Sequence, residues 1–525
     1  MVEPSTTDTQ RKRLFFGICL ALIPTGASFA LVSNILVQLK QQFILTNYQV
    51  GLIGGAALWG MALSLLIMGP LLEGFGLRNG ARLAFAGHVA GLTLMIAAVT
   101  RVGQPSAFWM LMGGAATLAA GNGMIEVTGN PLVAALFPDQ KTKHLNFFHA
   151  FFPLGIVFGG IVGFVLATWG GQFANWPYQI GVIYLPILVY GAMVLPRDFP
   201  KTENAEHGIP VGEMFRYTLT NPLFLLMLAM MAMTTSLELG PMRWVPAVLT
   251  SAGLHGILVL VWISGWMVVL RSQAGHAVQR LQPTGMLLIA AILTGTGLFL
   301  LSFATNTLAA FAAATIFAWG VAFFFPTMVG VVSERMPKTG SLGIVLTAGM
   351  GLGMAGAVGV PVLGKLADRY LAQSLPAAAA DVLQQVNQKF PAYVARAQAT
   401  TDQGSLGYRE REVADALAAT QTALAAQQQS GNINNDATSN ALRAIVGTAI
   451  PNEPLVGKAN DILQPAEAAA GQRSFRYVAP AALVLVVVFG VMFVGDRRRG
   501  GYRAVKIDAA AAALLLALFL PASPN

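Results

Sequence analysis

The chain has 525 residues, of which 55% are hydrophobic and only 10% are charged. A soluble globular domain carries roughly 25% charged residues, so this composition excludes an ordinary soluble protein, and the apolar content excludes disorder over most of the chain. The single cysteine, Cys19, excludes an intramolecular disulfide and a zinc site built from cysteines. The formal net charge is +9, and the cations fall between apolar runs, which indicates a membrane rather than a nucleic acid as the partner.

Twelve apolar runs follow one another along the chain, each close to the roughly 20 residues that a helix needs to cross a bilayer. Open strands would leave backbone groups unpaired in lipid, so each run is predicted to be a helix. Six runs precede a polar linker, at residues 14–37, 47–72, 81–100, 106–136, 148–168 and 178–195. Six follow it, at residues 222–249, 254–275, 284–304, 308–333, 341–364 and 475–495.

The predicted fold is therefore all-α and integral to the membrane, with twelve transmembrane helices in two six-helix halves. The predicted divisions are an N-terminal half at 1–195, a cytoplasmic linker at 196–221, a C-terminal half at 222–495 and a basic cytoplasmic tail at 496–525. A short apolar run in this tail, Ala509–Pro521, is too short to span comfortably and is predicted to be interfacial or frayed.

Lysines and arginines in the short loops predict the orientation of the chain. With the N-terminus inside, the inner segments hold 19 of these residues and the short outer loops hold only Lys40, Arg101 and Arg243. The predicted location is the cell's inner membrane, with both termini in the cytoplasm. A cleaved signal peptide is the alternative for the first run, since an Arg-Lys-Arg triplet precedes it.

A long outer segment, residues 366–474, separates the eleventh and twelfth runs. Apolar residues recur in it at helical spacing, at Val382, Leu383, Val386 and Phe390 and again at Val413, Leu417 and Leu424. The pattern predicts a small helical cap. Either a tolerated surface insertion or a lid or partner-binding element fits this pattern.

Glycine-rich signals mark both halves. The loop after the second run, Gly69 to Arg78, contains an acid and a base between tight turns, and the loop after the eighth run keeps part of this pattern. These residues are predicted to latch helix ends on the cytoplasmic side: Gly69, Glu73, Gly76, Arg78, Gly275 and Arg280. Glycines also recur every four residues at Gly155, Gly159 and Gly163 and at Gly349 and Gly353, a spacing that favours a sliding seam between the halves or ordinary static packing.

Two acidic residues lie deep in predicted spans, Glu126 and Glu238. An ionisable group in hydrocarbon is costly unless it is paired, protonated or facing water, so each is a candidate for binding or proton coupling. Glu238 could instead form a structural ion pair with Arg243. Asn122 is one turn before Glu126 on the same face, and Asn130 precedes Pro131, which should kink the helix.

Four stretches resemble the major facilitator superfamily and, within it, the fucose-permease-like sugar transporters. They run from Ser33 to Gly51, from Gly121 to Pro131, from His144 to Gly155 and from Glu238 to Trp244. The resemblance implies a two-half transporter in which an acid at the position of Glu126 binds sugar hydroxyls, carries a proton, or both. It implies that His149 stands where a hydrogen-bonding glutamine is common.

Asn34 departs from this resemblance, because the fucose permeases have an aspartate there that takes part in proton coupling. An asparagine can hydrogen-bond to a sugar but cannot carry a proton. A facilitator, or a transporter of a different sugar, is therefore an alternative to a proton symporter. Sugar sites usually contain an aromatic platform, and the predicted candidates for it are Trp244 and Trp319.

The predicted function is secondary active or facilitative transport of a small sugar or sugar-like solute by alternating access, with proton coupling through Glu126 as one form of it. An exporter of amphipathic compounds on the same fold and a membrane receptor or scaffold using residues 366–474 are the alternatives. No phosphate-binding loop, metal-ligand spacing or catalytic set is recognisable, so neither an enzyme nor a cofactor nor a metal is predicted. The predicted partners are a monosaccharide, protons or another ion, and the lipid bilayer, with no nucleic acid and a monomeric state.

Overall fold

The computed structural model describes residues 8–43, 45, 47–201, 211–252, 256–400, 408, 410–433, 435–448 and 450–505. All regular structure in these residues is helical, and they contain no strand. The predicted fold class is thereby confirmed as all-α. The apolar run Ala509–Pro521 lies outside the described residues.

In the described part of residues 1–195, which we name the N-terminal half, there are ten helices. They are α1 Asp8–Leu20, α2 Leu22–Phe43, α3 Asn47–Met68, α4 Leu72–Phe75, α5 Leu77–Ala97, α6 Ser106–Leu136, α7 Lys141–His149, α8 Phe151–Trp169, α9 Trp176–Gly181 and α10 Tyr184–Val194. The first, fifth and sixth apolar runs are thus each divided between two helices. Short 3₁₀ turns follow α5 and α8, at Ala98–Arg101 and Gly171–Ala174.

In the described residues after 195, which comprise the linker and what we name the C-terminal half, there are thirteen helices. They are α11 Val211–Thr220, α12 Pro222–Ser251, α13 Gly256–Ser272, α14 Ala274–Leu301, α15 Thr307–Val321, α16 Phe324–Arg335, α17 Gly340–Met354, α18 Val360–Ser374, α19 Ala378–Gln398, α20 Glu410–Ser430, α21 Asp436–Gly447, α22 Pro454–Val478 and α23 Ala482–Arg498. A π turn at Ala355–Gly359 joins α17 to α18, and 3₁₀ turns at Pro337–Thr339 and Ala479–Ala481 precede α17 and α23.

Nine helical segments in the described part are long and apolar enough to cross a membrane. Leu52–Met68 and Gly256–Ser272 are shorter apolar helices. The helix α6 is long but less apolar, because its middle carries buried polar residues at Asn122, Glu126 and Asn130. Every predicted run is therefore helical, while the count of twelve membrane spans stays a prediction.

Close packing of α2 against α8 shows why glycines recur along α8. A Cβ on Gly26 would lie 2.0 Å from the carbonyl oxygen of Phe152, and one on Gly155 would lie 2.3 Å from the carbonyl oxygen of Ile23. Both helices belong to the N-terminal half, so the glycines of α8 at Gly155 and Gly159 stabilise that half rather than form a seam between halves. The alternative of ordinary static packing therefore holds for these two glycines, although α8 also contacts α13 of the C-terminal half at Gly160 and Val261.

The glycines of α17 do lie between the halves. A Cβ on Gly349 would contact Leu65 and Leu66 of α3 at 3.2–3.5 Å, and one on Gly353 would be 3.8 Å from Ala62. The two halves therefore meet along α3 and α17 with little side-chain bulk between them, as small residues allow in lipid.

The insertion forms a helical bundle with its own apolar core. Val382, Leu383, Val386, Phe390 and Val413 are buried in that core, and Leu417 and Leu424 pack against it. On either side of this bundle, α18 continues to Ser374 and α22 begins at Pro454. Both flanking helices thus extend beyond the apolar part of the chain, and we name α19, α20 and α21 between them the cap.

Candidate functional site

A small cavity of about 50 Å³ lies between the two halves. It is smaller than the roughly 300–1,000 Å³ of typical small-molecule sites, so a ligand of that size requires the walls to move apart. Residues from the N-terminal half line one side of it: Thr25, Ser28, Phe29, Leu58, Met61, Asn122, Glu126, His149 and Phe152. Residues from the C-terminal half line the other side: Thr235, Glu238, Leu239, Arg271, Phe325 and Leu352.

The cavity-facing side of α6 carries three polar residues at four-residue spacing, Asn122, Glu126 and Asn130. This spacing places them above one another on one face of a helix. All three are buried, with exposed fractions of 4%, 3% and 0%. Asn122 and Glu126 reach the cavity, while Asn130 lies behind it and supports Glu126.

Glu126 ends a short chain of buried hydrogen bonds. The Nδ2 of Asn130 donates to Glu126 Oε2 at 2.6 Å and to the Glu126 carbonyl oxygen at 3.0 Å. The Nε2 of His149 lies 2.8 Å from Asn130 Oδ1 and 3.8 Å from Glu126 Oε2. An amide oxygen can only accept, so His149 Nε2 carries a proton. The three side chains therefore hold the Glu126 carboxyl in one orientation at the cavity wall.

Arg271 is the most connected cation of the site. Its Nη2 donates to Glu238 Oε1 at 3.0 Å, its Nη1 to the His149 carbonyl at 2.9 Å and its Nε to the Ala322 carbonyl at 2.6 Å. Only 2% of the residue is exposed. Because His149 belongs to the N-terminal half, the guanidinium joins the two halves beside the cavity.

Two prolines explain why these carbonyls are free to accept from Arg271. In a helix, the carbonyl of residue i−4 accepts from the N–H of residue i, and proline has no N–H. Pro153 follows His149 by four residues, and Pro326 follows Ala322 by four residues. Both helical segments break at these points, between α7 and α8 and between α15 and α16. The guanidinium thus replaces two helical donors that the sequence removes.

Glu238 is paired with Arg271 rather than with Arg243, so the alternative of an ion pair with Arg243 is wrong. Five residues along a helix correspond to about one and a half turns, which leaves Glu238 and Arg243 on different faces. Arg243 instead donates to Ser33 Oγ at 2.5 Å, and its guanidinium carbon lies 3.7 Å from the centre of the Phe29 ring.

The buried charges of the cavity are not balanced if both carboxylates are ionised. Arg271 offsets Glu238 directly, whereas the closest ionisable partner given for Glu126 in the described residues is the imidazole of His149 at 3.8 Å. An uncompensated carboxylate in a buried site is costly, so the neutral form of one carboxyl is favoured there. Proton uptake by either carboxyl would restore the balance.

Three polar atoms around the cavity are buried without a hydrogen-bond partner in the part of the chain that the structure describes. They are Thr25 Oγ1, Thr235 Oγ1 and Glu238 Oε2, and their residues line both sides of the cavity. Buried polar groups are normally paired, so unpaired ones at a cavity indicate a missing polar partner. No group of His, Cys, Asp and Glu side chains among the described residues is arranged to hold a metal ion.

Residues 18–358 match the sequence profile of the Major Facilitator Superfamily. The chain belongs to the Major Facilitator Superfamily. It is therefore a multi-pass membrane transport protein and not an enzyme, as predicted. A search of curated proteins found no match.

Solved structures of sugar transporters share the fold. The fucose:proton symporter FucP of E. coli superimposes with a TM-score of 0.53 at 17% identity, over 67% of this chain and 92% of that chain. The proton:xylose symporter XylE, bound to 6-bromo-6-deoxy-D-glucose, gives a TM-score of 0.56 at 16% identity, over 68% of this chain and 89% of that chain. At these identities the likeness shows the fold alone.

Three residues predicted for the site lie elsewhere in this superfamily member. Asn34 is six residues beyond Ser28 on α2, about 9 Å along the helix, and it donates to Gln179 Oε1 at 2.9 Å. Trp244 donates to the Val360 carbonyl at 3.2 Å, and Trp319 packs against Trp266 with 43% of its surface exposed. None of the three lines the cavity.

The predicted cytoplasmic motif contributes to contacts between the halves at that end. A Cβ on Gly69 would lie 2.4 Å from Val345 Cγ1, and one on Gly275 would lie 3.0 Å from Lys143 Cε, so both glycines permit close approach across the interface. Gly76 has a positive φ of 81° at the turn into α5.

The latch between helix ends that was predicted for the charged members of the motif stays a prediction. Arg78 forms an exposed ion pair with Asp198 at 3.2 Å, and Arg280 is exposed on α14. The side chain of Glu73 lies outside the described residues.

Contacts between α7 and α16 close the same end of the cavity. The backbone N–H of Thr142 donates to Glu334 Oε1 at 2.8 Å, and Asn146 Nδ2 donates to Thr327 Oγ1 at 3.2 Å. At the other end, Arg243 of α12 contacts Ser33 and Phe29 of α2. The halves therefore touch at both ends of the cavity and enclose it.

Sequence reasoning missed Arg271, Thr25, Ser28 and Thr235 as cavity residues, and it missed His88, which is fully buried behind the cavity. Arg271 was counted among the loop cations because it ends an apolar run. The two prolines four residues after His149 and Ala322 were a usable signal that a buried donor would be needed. His88 stood in an apolar run, where an ionisable residue is itself a signal.

Proposed function

We propose that this protein transports a monosaccharide or a similar small polyol across the inner membrane by alternating access. The observation that carries the proposal is the enclosed cavity between the halves, in which buried hydroxyl and carboxyl oxygens from both halves lack partners among the described residues. A solute that pairs with groups on both halves is held differently when the halves move, which is the requirement for coupling binding to a conformational change.

The lining favours a sugar over a uniformly polar solute. Asn122, Glu126, Glu238 and two threonines offer hydrogen bonds, while Phe29, Phe152 and Phe325 offer aromatic surface. A sugar ring presents hydroxyl groups at its edge and C–H groups on its faces, so it can satisfy both kinds of wall. We place the aromatic platform at these phenylalanines rather than at Trp244 or Trp319.

If transport is secondary active, Glu126 is the residue that couples the movement of the solute to a proton. The carboxyl is oriented by Asn130 and adjoins the cavity. Glu238 is paired with Arg271, whereas no arginine or lysine among the described residues pairs with Glu126 in this way. Asn34 cannot carry a proton, and it bonds to Gln179 away from the cavity. A proton that enters with the solute would therefore be held at Glu126, and its release on the cytoplasmic side would complete the cycle.

The test is uptake of labelled hexoses, pentoses and deoxysugars into proteoliposomes, with and without an imposed proton gradient. Uphill uptake of one sugar driven by the gradient supports a proton-coupled symporter. Uptake that only equilibrates supports a facilitator or a different coupling ion.

Absence of uptake for every sugar would contradict the proposal. The apolar residues Leu58, Met61, Leu239 and Leu352, which also line the cavity, would then favour an exporter of amphipathic compounds. Stimulated efflux of an amphipathic fluorescent dye is the measurement that separates this second candidate from the first.

A further inference from the structure

A second chain of buried hydrogen bonds lies behind the cavity, separate from the cluster around Arg271. It starts at Tyr190 of α10, whose hydroxyl is 2.9 Å from Nδ1 of His88 in α5. His88 Nε2 is 3.0 Å from Oδ1 of Asn122 in α6, and Asn122 Nδ2 is 3.1 Å from Oγ of Ser28 in α2. Ser28 Oγ in turn is 2.9 Å from the carbonyl oxygen of Thr25. His88 and Tyr190 are fully buried, and only the Ser28 end of the chain, with Asn122, lines the cavity.

Donor and acceptor chemistry gives this chain one direction. The carbonyl of Thr25 can only accept, so the Ser28 hydroxyl hydrogen points to it. Ser28 Oγ must then accept from the amide nitrogen of Asn122, which turns the amide oxygen toward His88. This oxygen can only accept, so the ring proton of His88 is on Nε2.

The remaining ring nitrogen of His88, Nδ1, accepts from the hydroxyl of Tyr190. With the amide of Asn122 reversed, the Thr25 carbonyl would lose its bond from Ser28 and the Tyr190 hydroxyl would lose its acceptor. A buried donor without an acceptor costs roughly 1–3 kcal/mol, so the first arrangement is favoured.

We propose that His88 is a positioning residue that fixes the amide of Asn122, so that this wall of the cavity offers an N–H donor and the transported solute must place an acceptor oxygen against it. The amide nitrogen of Asn122 has two hydrogens, and Ser28 takes only one of them. On the opposite half, Glu238 Oε2 has no partner within the described part of the chain and can accept a hydrogen bond. The solute is thereby oriented, with an acceptor toward Asn122 and a hydroxyl donor toward Glu238.

This inference rests on the proposed function, because it assigns specificity within the same cavity, but its first test does not depend on transport. Solid-state nuclear magnetic resonance of the full chain, labelled with ¹⁵N-histidine in lipid bilayers, distinguishes the two neutral tautomers of imidazole. The variant His88→Gln identifies the signal of His88 by its loss. A neutral ring with its proton on Nε2 is expected. A proton on Nδ1 would overturn the direction of the chain, whether or not a sugar is transported.

The second test separates binding from turnover, using the sugar that the parent protein takes up most rapidly from the panel. His88→Leu removes the donor to Asn122. KM should rise about tenfold, which corresponds to one lost hydrogen bond, and the maximal rate should stay close to that of the parent. His88→Gln should restore KM, because a glutamine amide can donate to Asn122 and accept from Tyr190. Asn122→Asp, which cannot donate as a carboxylate, should raise KM at least as much.

Tyr190→Phe gives a milder variant if His88→Leu fails to fold, with KM expected to rise about threefold. The matched control is Tyr184→Phe. Its hydroxyl pairs with Thr93 Oγ1 at 2.6 Å, between the same helices α10 and α5 but at an exposed position away from the cavity. KM should not change in this control. An unchanged KM in His88→Leu, Tyr190→Phe or Asn122→Asp, or an equal rise in Tyr184→Phe, would overturn the positioning role.

Discussion

Arg271 shows how a single residue can hold a site together in a place where charge is costly. Its guanidinium uses three of its donors on Glu238 and on two carbonyls that prolines leave free. The contact with Glu238 lies within the C-terminal half, and the contact with His149 crosses to the other half. This residue is therefore required both for the pairing of a buried carboxylate and for the enclosed state of the cavity.

A double-mutant cycle on Arg271 and Glu238 tests this pairing. Removing one partner of a buried ion pair leaves an unpaired buried charge, which typically costs about 3–5 kcal/mol. Arg271→Met should therefore lower the melting temperature strongly, and adding Glu238→Gln should recover part of the loss. Thermal unfolding of the purified protein in detergent gives the four melting temperatures.

The exposed pair of Arg78 and Asp198 provides the control cycle, since exposed pairs contribute little to stability. Strictly additive losses for Arg271→Met and Glu238→Gln, as in two independent sites, would contradict the pairing.

At the scale of elements, α2 and α12 meet at the predicted outer end of the cavity through Arg243. Its stacking on Phe29, which lines the cavity, places a cation over the mouth between the halves. A cation over an aromatic face contributes roughly 0.5–2 kcal/mol. Opening the cavity to the outside requires this contact to break.

Arg243→Gln is accordingly expected to shift the protein toward outer opening. The native Cys19 is buried and can be replaced by serine, after which Thr25→Cys provides one thiol at the cavity wall. Its labelling by a membrane-impermeant maleimide should be several-fold faster when Arg243 is replaced. Arg101→Gln, at an exposed position, is the matched variant, and equal labelling rates for the two variants would refute a gating contact.

The cap has an acid-sensitive attachment at Glu453, before α22. Burial alone would raise the pKa of Glu453, but the ammonium of Lys389 at 2.8 Å, a hydrogen bond from Tyr393 and the N–H of Leu455 lower it overall. A group whose pKa is lowered by folding stabilises the fold above its unfolded value, about 4.5, and this contribution is lost as the pH falls through the lowered folded value.

The protection of the cap helices against hydrogen exchange, measured relative to the intrinsic exchange rate at each pH, should therefore be high at pH 7 and fall in acid. Glu453→Gln should reduce protection at pH 7 and weaken its dependence on pH. A pH profile identical to that of the parent would show that Glu453 does not contribute.

The positions of the helices were largely predictable from the sequence, whereas the pairs of helices that pack against each other were not. Hydrophobicity and length are local properties, so the apolar runs of the sequence coincide with helices in the structure. The packing partner of Gly155 is decided by tertiary structure, and its spacing could not distinguish α2 of the same half from a helix of the other half. Likewise, Arg271 has the sequence context of a loop cation and becomes a site residue only through two distant proline breaks.

The polar residues of α6 were predictable because a carboxyl or amide inside an apolar run is rare and expensive. Asn34 fulfilled the same criterion and yet lies outside the cavity, because position along the helix axis depends on where the cavity is. Thr25 and Thr235 could not be recognised in this way, since a threonine in an apolar run can donate its hydroxyl hydrogen to a backbone carbonyl of its own helix.

At the scale of the whole molecule, the protein combines a two-half transporter core with a cap that has its own apolar core. The flanking helices α18 and α22 run side by side, with Arg473 Nη1 3.2 Å from Ser374 Oγ and the rings of Tyr370 and Tyr477 stacked at 4.9 Å. The chain can therefore be closed near Ser374 and Gly471 without spanning a gap.

Replacing residues 376–470 with a short Gly-Ser linker should leave sugar uptake within about twofold of the parent rate, since the cavity residues belong to the transporter core. Initial rates in proteoliposomes measure this, with size-exclusion chromatography to establish that the variant is intact. Complete loss of uptake in a monodisperse variant would make the cap part of the transport mechanism and would favour a lid.

The central claim is that Glu126 links solute movement to a proton. The most direct measurement is uptake of the transported sugar into proteoliposomes with an imposed proton gradient, comparing the parent with Glu126→Gln in vesicles of the same composition. We predict that the parent accumulates sugar above the external concentration, whereas the variant only exchanges internal for external sugar. Accumulation by Glu126→Gln to the level of the parent would contradict the account.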